Sequence, residues 1–402
     1  MTRGRAIPAI PWLGLGLWPL GINGALLLIT MPQILASQGT SPERVAEITS
    51  MALAPGFLSF LLAPLLDWGL SRRAWAVLFT LVTAAAGAGA FLFVRDTPLL
   101  PALFFVSSFA AYMVSAACGG WFGELVPREA QARLGSWMAA ANIASGGLAA
   151  SLAIPLFRGL PAPVGALSLG GLSLLALPLF ALTPCPSADA RLMGEGFAAF
   201  ARDVIRVVRR PIVGWTLLLF ISPATAFALT NSLSGFAGDF HTPEALAGLI
   251  GGAGVTVAGL VGSLAILPLG GRLQPRRLYL AIGLIGAGFS LLLIAAPRTP
   301  AGFGAALLGE NLFQAAAFAV SNLIALNSLG RDNPLAATQF GLLFAASSIP
   351  LTYMQRIDGL AFAARGLDGG LLIDATLTAA SCAILSLILS IFRRAVAGAE
   401  PK

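Results

Sequence analysis

Charge is what this sequence most lacks: only 10% of its 402 residues are Asp, Glu, Lys or Arg, against about 25% in soluble domains. With 57% hydrophobic residues and a mean hydropathy of +0.87, a water-soluble fold has no way to hide so much apolar surface. Histidine is nearly absent. The single one, His241, precedes Thr242-Pro243 in a turn, where it reads as a solvated loop residue. Three cysteines, Cys118, Cys185 and Cys382, lie far apart without metal-ligand spacing, so neither a disulfide framework nor a redox motif is implied. No Ser-His-Asp set, P-loop or dinucleotide fingerprint is recognisable. Gly251-Gly252-Ala253-Gly254 falls inside an apolar segment, where close helix packing accounts for it. An enzyme is therefore not expected, nor a metal or a cofactor.

What is present is a series of apolar stretches, each of about the 20 residues that a helix needs to cross a bilayer. About twelve such spans are expected, at 12–35, 46–66, 74–94, 99–121, 134–156, 164–182, 212–235, 246–269, 278–296, 302–327, 335–355 and 369–392. The 46 Gly and 26 Pro fit this environment, because small residues let helices approach and neighbouring groups re-satisfy a broken backbone. The first span follows Arg3 and Arg5 and exceeds the apolar core of a signal peptide, so it reads as the first helix.

The net charge of +7 does not point to nucleic acid. The arginines lie in short loops rather than on a basic domain. A cytoplasmic N-terminus collects Arg72, Arg73, Arg128, Arg133, Arg272, Arg276, Arg277, Arg331 and the other basic residues of alternate loops inside, leaving Arg44, Arg95, Arg158, Arg298, Arg356 and Arg365 outside. Eighteen of the 24 Lys and Arg then lie inside, which favours two cytoplasmic termini and an even number of spans.

The longest polar interval divides the spans six and six. It sets an N-terminal six-helix bundle at 1–182, a linker at 183–211 and a C-terminal six-helix bundle at 212–402. Within the linker, Phe197, Phe200, Val204, Ile205 and Val208 alternate with Arg202, Arg206, Arg209 and Arg210 at helical spacing, the pattern either of a helix lying on the cytoplasmic leaflet or of a plain linker helix. A basic turn recurs after the second helix of each half, at Arg72-Arg73 and at Arg272 to Arg276-Arg277. Such six-helix repeats build transporters whose bundles rock around a central site.

Motifs refine this. Asp67, ending span 2 before Arg72-Arg73, resembles the loop between helices 2 and 3 of the major facilitator superfamily, where an acid and arginines latch cytoplasmic helix ends together. Gly309-Glu310-Asn311-Leu312, Ala336-Ala337-Thr338-Gln339-Phe340, Glu124-Leu125-Val126-Pro127 and Ala226-Phe227-Ala228-Leu229 resemble AmpG-type muropeptide permeases and their acetyl-coenzyme A transporter relatives. The resemblance spans most of the chain. It implies an all-α membrane protein of twelve transmembrane helices in the major facilitator fold, working by alternating access as a symporter in a bacterial inner membrane. The chain also departs from the pattern: two acids usual in family helix 4 fall at Ser115 and Gly119 here, and one in helix 7 falls near Thr225.

Glu310 is the deepest acid, some eight residues into its span. An ionised carboxylate in hydrocarbon costs several kcal/mol, so it must face a cavity, meet a cation or hold a proton. Coupling of proton entry to solute binding and interhelical packing are both open to it. Asn311, Gln314, Gln339, Asn231, Asn23 and Tyr112 are the polar groups expected with it around a solute, and Asp67, Arg72, Arg73 and Glu124 form the expected cytoplasmic gate. Trp12 and Trp215 read as interface anchors and Trp18 as core. Asp358, Asp368 and Asp374 with Arg356 and Arg365 read as periplasmic loop ion pairs, with an outer gate as the alternative. The expected partners are a small-molecule substrate, protons and the lipid bilayer, with no nucleic acid, for a monomer. Muropeptide uptake is the first functional expectation; a siderophore or acyl-nucleotide carrier and a non-transporting membrane sensor are the alternatives.

Overall fold

The computed structural model describes residues 7–94, 98–185, 202, 205–207, 209–330 and 333–397, and among them every regular element is helical. The expected linker helix at 197–210 lies largely outside the described residues. The main helices are α1 (Ile10–Ser37), α2 (Pro42–Leu53), α3 (Arg72–Leu92), α4 (Leu99–Leu125), α5 (Gln131–Gly159), α6 (Ala162–Leu182), α7 (Pro211–Ile221), α8 (Glu244–Leu264), α9 (Pro275–Ile294), α10 (Pro300–Leu329) and α11 (Ala336–Ala397). Helix starts are encoded locally. The Ser71 hydroxyl accepts from Ala74 N–H at 3.2 Å and caps α3, and Ser41 caps α2 in the same way.

Nine helical runs among the described residues are long and apolar enough to cross a membrane. The last of them is two passes in one. At Arg365 and Gly366 the backbone leaves the helix, Gly366 taking a φ of 66° that suits glycine. Gly370 then packs back on Phe362 and on the Asp358 carbonyl, so the chain has reversed.

Two expected spans are not continuous α-helices. Span 46–66 leaves α2 for a short helix at Pro55–Leu58 and 3₁₀ turns at Ser59–Leu61 and Ala63–Asp67, since Pro55 and Pro64 each remove a backbone donor. Span 212–235 ends as α7 at Ile221 and resumes at Thr230–Leu233. Ser222-Pro223 marks the break.

Packing gathers the chain into two compact units, Met1–Gly214 with Ala325–Ala345, and Trp215–Ile324 with Ala346–Lys402. The end of α10 and the start of α11 thus group with the first unit. The first unit's core joins Ile22, Leu26 and Met31 of α1 to Phe91 of α3, Phe104 of α4, Ala153 of α5 and Leu169 of α6. Trp18 belongs here too: its indole donates to the Leu172 carbonyl at 3.0 Å. Gly21 lets α1 touch α5, since a Cβ there would fall on the Asn142 carbonyl and Ser145 Oγ. Gly21→Ala is therefore expected to lower the thermal midpoint of the purified protein, at a cost of about 1–3 kcal/mol from overpacking. An unchanged midpoint would mean that this contact yields freely.

The second unit is built around Leu229, Leu233, Phe240, Leu293, Phe303, Leu307, Leu367 and Leu371.

Candidate functional site

In the first unit the acid and arginine near residue 70 form a buried network. Asp67 closes the 3₁₀ turn at Ala63–Asp67, where a negative charge opposes the helix dipole. Two partners offset this. Arg72 donates from Nε to Asp67 Oδ1 at 2.8 Å, and the first turn of α11 donates from Thr338 N–H at 2.6 Å and Thr338 Oγ1 at 2.7 Å to Oδ2, with Ala337 N–H at 3.3 Å from Oδ1. Asp67 thus caps a helix some 270 residues away in the chain, satisfying N–H groups that a helix start leaves free.

Arg72 uses its whole guanidinium fork. Nη1 donates to Glu124 Oε2 at 2.5 Å and Nη2 to the Asn333 and Pro334 carbonyls at 2.9 and 3.2 Å. Both Asp67 and Arg72 are fully buried. Arg73 is not part of this network; its guanidinium reaches the Ala181 carbonyl. Gln339, expected beside Glu310, belongs near the network instead: its Nε2 donates to the Ser328 carbonyl at 2.6 Å, and its Oε1 accepts from Asn333.

Two further expected site residues sit elsewhere in this unit. Asn23 accepts from Ser107 Oγ at 2.7 Å and donates to Ser108 Oγ at 2.9 Å, so it ties α1 to α4. Tyr112 lies under Gly56, its ring 6.1 Å from that of Phe344. The departures from the family pattern have a packing counterpart. Ser115 is buried and donates to the Ala111 carbonyl, and a Cβ at Gly119 would meet the Phe340 ring; no carboxylate fits at Gly119 as packed.

In the second unit, the break after α7 strips carbonyls of their helical partners, and side chains replace those partners. Tyr353 Oη donates to the Ile221 carbonyl at 2.8 Å, Thr378 Oγ1 to Pro223 at 3.1 Å and Cys382 Sγ to Ala224 at 3.3 Å. Gln314 Nε2 donates to the Phe227 carbonyl at 3.3 Å and to Thr230 Oγ1 at 2.7 Å. Phe227 itself holds a φ of 44°, a conformation costing about 1–3 kcal/mol outside glycine. Gly283 and Gly286 of α9 make room for Ala224 and the Phe227 ring. The sequence signal for this break was Pro223 after Ser222 inside an apolar run.

Glu310 sits on α10 with no solvent exposure. Ser290 of α9 donates to its Oε1 at 2.5 Å and also lies 3.1 Å from the Gly286 carbonyl, while Oε2 has no partner. A serine hydroxyl carries one hydrogen. It serves either the Gly286 carbonyl or the carboxylate; when Glu310 carries a proton, the carboxyl itself donates to Ser290 Oγ. Of the companions expected for it, Gln314 lies on the same helix face, whereas Asn311 Nδ2 turns to the Leu307 carbonyl at 2.8 Å. Asn231 lies in the helix at Thr230–Leu233; its side chain is outside the described residues.

Asp358 and Asp374 overturn the expectation of periplasmic loop pairs. They are 3% and 2% exposed, because α11 stays helical on both sides of its turn and carries them inside. Among the described residues only Asp368 of this group is paired, and with Arg298 rather than with Arg356 or Arg365. Arg298 also lies over the Phe240 ring.

Helices long and apolar enough to cross a membrane many times, with polar and acidic groups buried among them, define a polytopic membrane protein. This chain belongs to the Major Facilitator Superfamily, whose family model matches residues 13–353. Solved structures with the same fold include the Escherichia coli fucose:proton symporter, with a TM-score of 0.70 at 17% identity over 94% of this chain and 97% of that one. A proton:xylose symporter bound to 6-bromo-6-deoxy-D-glucose gives 0.68 at 14% identity over 95% and 94%. A bacterial homologue of the iron transporter ferroportin, outward-facing with soaked iron, gives 0.65 at 17% identity over 95% and 98%. At these identities the likeness is one of fold. No curated protein matches the chain.

Proposed function

We propose that this protein is a proton-coupled secondary transporter that takes a medium-sized polar or amphipathic solute across a bacterial cytoplasmic membrane as a monomer, with both termini inside. The observation that carries the reading is Glu310: a carboxylate buried in α10, held through one oxygen by a serine whose single hydrogen has two possible acceptors. Such a pair accommodates the charged and the neutral carboxyl by turning one hydroxyl, which is what a coupling site needs. Two proteins of the same fold bear proton symport in their names, one with fucose and one with xylose. The basic inside loops support the orientation.

Asp67, Arg72 and Glu124 act in this reading as the cytoplasmic latch, made in one conformation and broken in another. The resemblance to AmpG-type permeases makes muropeptides the first cargo to test. Ser115 and Gly119, in place of the family's helix 4 acids, mean that recognition runs through other groups.

Counterflow in liposomes carrying the purified full chain tests the proposal. A labelled anhydro-muropeptide is expected to exchange against an excess of itself, and acidifying the outside is expected to raise net uptake. Cargo exchange with no response to a pH gradient would remove the proton. No exchange with muropeptides, sugars, siderophores or acyl-nucleotides, together with a stable protein partner, would instead favour a sensor.

A further inference from the structure

Glu310 does not stand alone. Leu307 of α10, and Phe362 and Leu371 on either side of the turn in α11, pack in one apolar cluster. Residues three or four apart share a helix face. Glu310 is three residues beyond Leu307, Asp374 three beyond Leu371 and Asp358 four before Phe362. The reversal at Arg365 and Gly366 makes those steps run the same way. Three helical stretches therefore each place one carboxylate on the same side of the same cluster.

None of these acids is fully satisfied by its surroundings. Both oxygens of Asp358, Oδ1 of Asp374 and Oε2 of Glu310 are buried without a hydrogen-bond partner. Among the described residues none of the three forms an ion pair. The charged groups of the neighbouring elements stay at the rim. Asp239 and Glu244 are exposed beside α8, Arg298 past the end of α9 is engaged with Asp368, and Arg356 and Arg365 are exposed on α11. What α9 offers to the trio is the Ser290 hydroxyl.

We propose that Glu310, Asp358 and Asp374 are one proton-sharing centre, with Asp358 and Asp374 coupling residues alongside Glu310. The proposal rests on the reading of Glu310 as the coupling carboxylate. Three negative charges on one side of a single apolar cluster, without a cation among them, cannot all persist, because each loses its solvation and each repels the others. A metal is the other way to neutralise them, but it needs oxygens converging on one point at about 2.0–2.6 Å. Among the described residues no three acidic, histidine or cysteine side chains are placed for that. Protons remain. Each transfer forms one O–H bond as another breaks, with nothing oxidised or reduced, and the last proton gained or lost belongs to the trio rather than to one member.

The test needs no transported solute. The full chain in lipid nanodiscs is followed by the infrared carbonyl band of protonated carboxyl groups, for the parent and for Glu310→Gln, Asp358→Asn and Asp374→Asn separately. In a shared centre, removing one negative neighbour lets another member give up its proton. The three losses are then expected to sum to clearly more than the trio's whole band at neutral pH, whereas losses that sum to the band itself, as for independent groups, overturn the proposal. So does disappearance of the band on adding calcium or sodium at constant pH, which would reveal a cation site. Since no solute enters, a shared band without counterflow would sink the transport reading and keep the centre. Independent bands with intact proton-driven uptake would do the reverse.

Discussion

Glu310→Gln is expected to abolish solute accumulation driven by a pH gradient while leaving exchange across the membrane intact. Glutamine matches the shape and can still accept from Ser290, so the packing of α9 against α10 is kept. What it cannot do is take up and release a proton. A gradient of one pH unit is worth about 1.4 kcal/mol, or about tenfold accumulation for one proton per solute. In the variant, the ratio of internal to external solute in vesicles should fall to about one. Exchange measured by counterflow should persist and lose its dependence on pH. Undiminished accumulation would remove Glu310 from coupling and return it to packing.

The second large effect is expected at the buried ion pair. Asp67 acts only as an acceptor, with Arg72 Nε and Ala337 N–H on one oxygen and Thr338 N–H and Oγ1 on the other. Asparagine in either orientation turns an NH₂ group toward donors, and it deprives a fully buried guanidinium of a counter-charge. Breaking such a pair costs about 3–5 kcal/mol. Asp67→Asn should therefore unfold far more readily than the parent on heating in detergent. Arg72→Lys should behave alike, because a single ammonium cannot replace a planar fork that reaches Asp67, Glu124 and two carbonyls at once. Parental stability in both variants would mean that Glu124 and the helix start hold this region without the pair.

The helical membrane class and the Asp67–Arg72 pair are readable because the sequence states them locally. Apolar length reports bilayer crossing, and Asp67 lies five residues from Arg72. Glu310 was readable because an acid deep in an apolar run has few explanations. The rest depended on how helices meet, which one strand of sequence does not carry. Asp358 and Asp374 fall near span ends, where hydropathy gives way to loop-like composition, yet α11 remains helical through both positions and takes them inward. Gln339 and Asn311 look like cavity groups by depth, but each finds a nearby partner in its own unit. Arg73 was grouped with Arg72 by adjacency. Successive helical residues point about 100° apart, so adjacency on a helix is a reason to expect divergence.

The interruption after α7 changes how force travels through the second unit. An unbroken helix moves as one rod, but here the eleven residues of α7, about 16 Å long, end at a joint. Carbonyls of the joint accept side-chain hydrogen bonds from Tyr353, Thr378, Cys382 and Gln314. A rotation of α10 or of either arm of α11 is therefore expected to reach the joint through these bonds, with Phe227, held at a φ of 44°, at its centre.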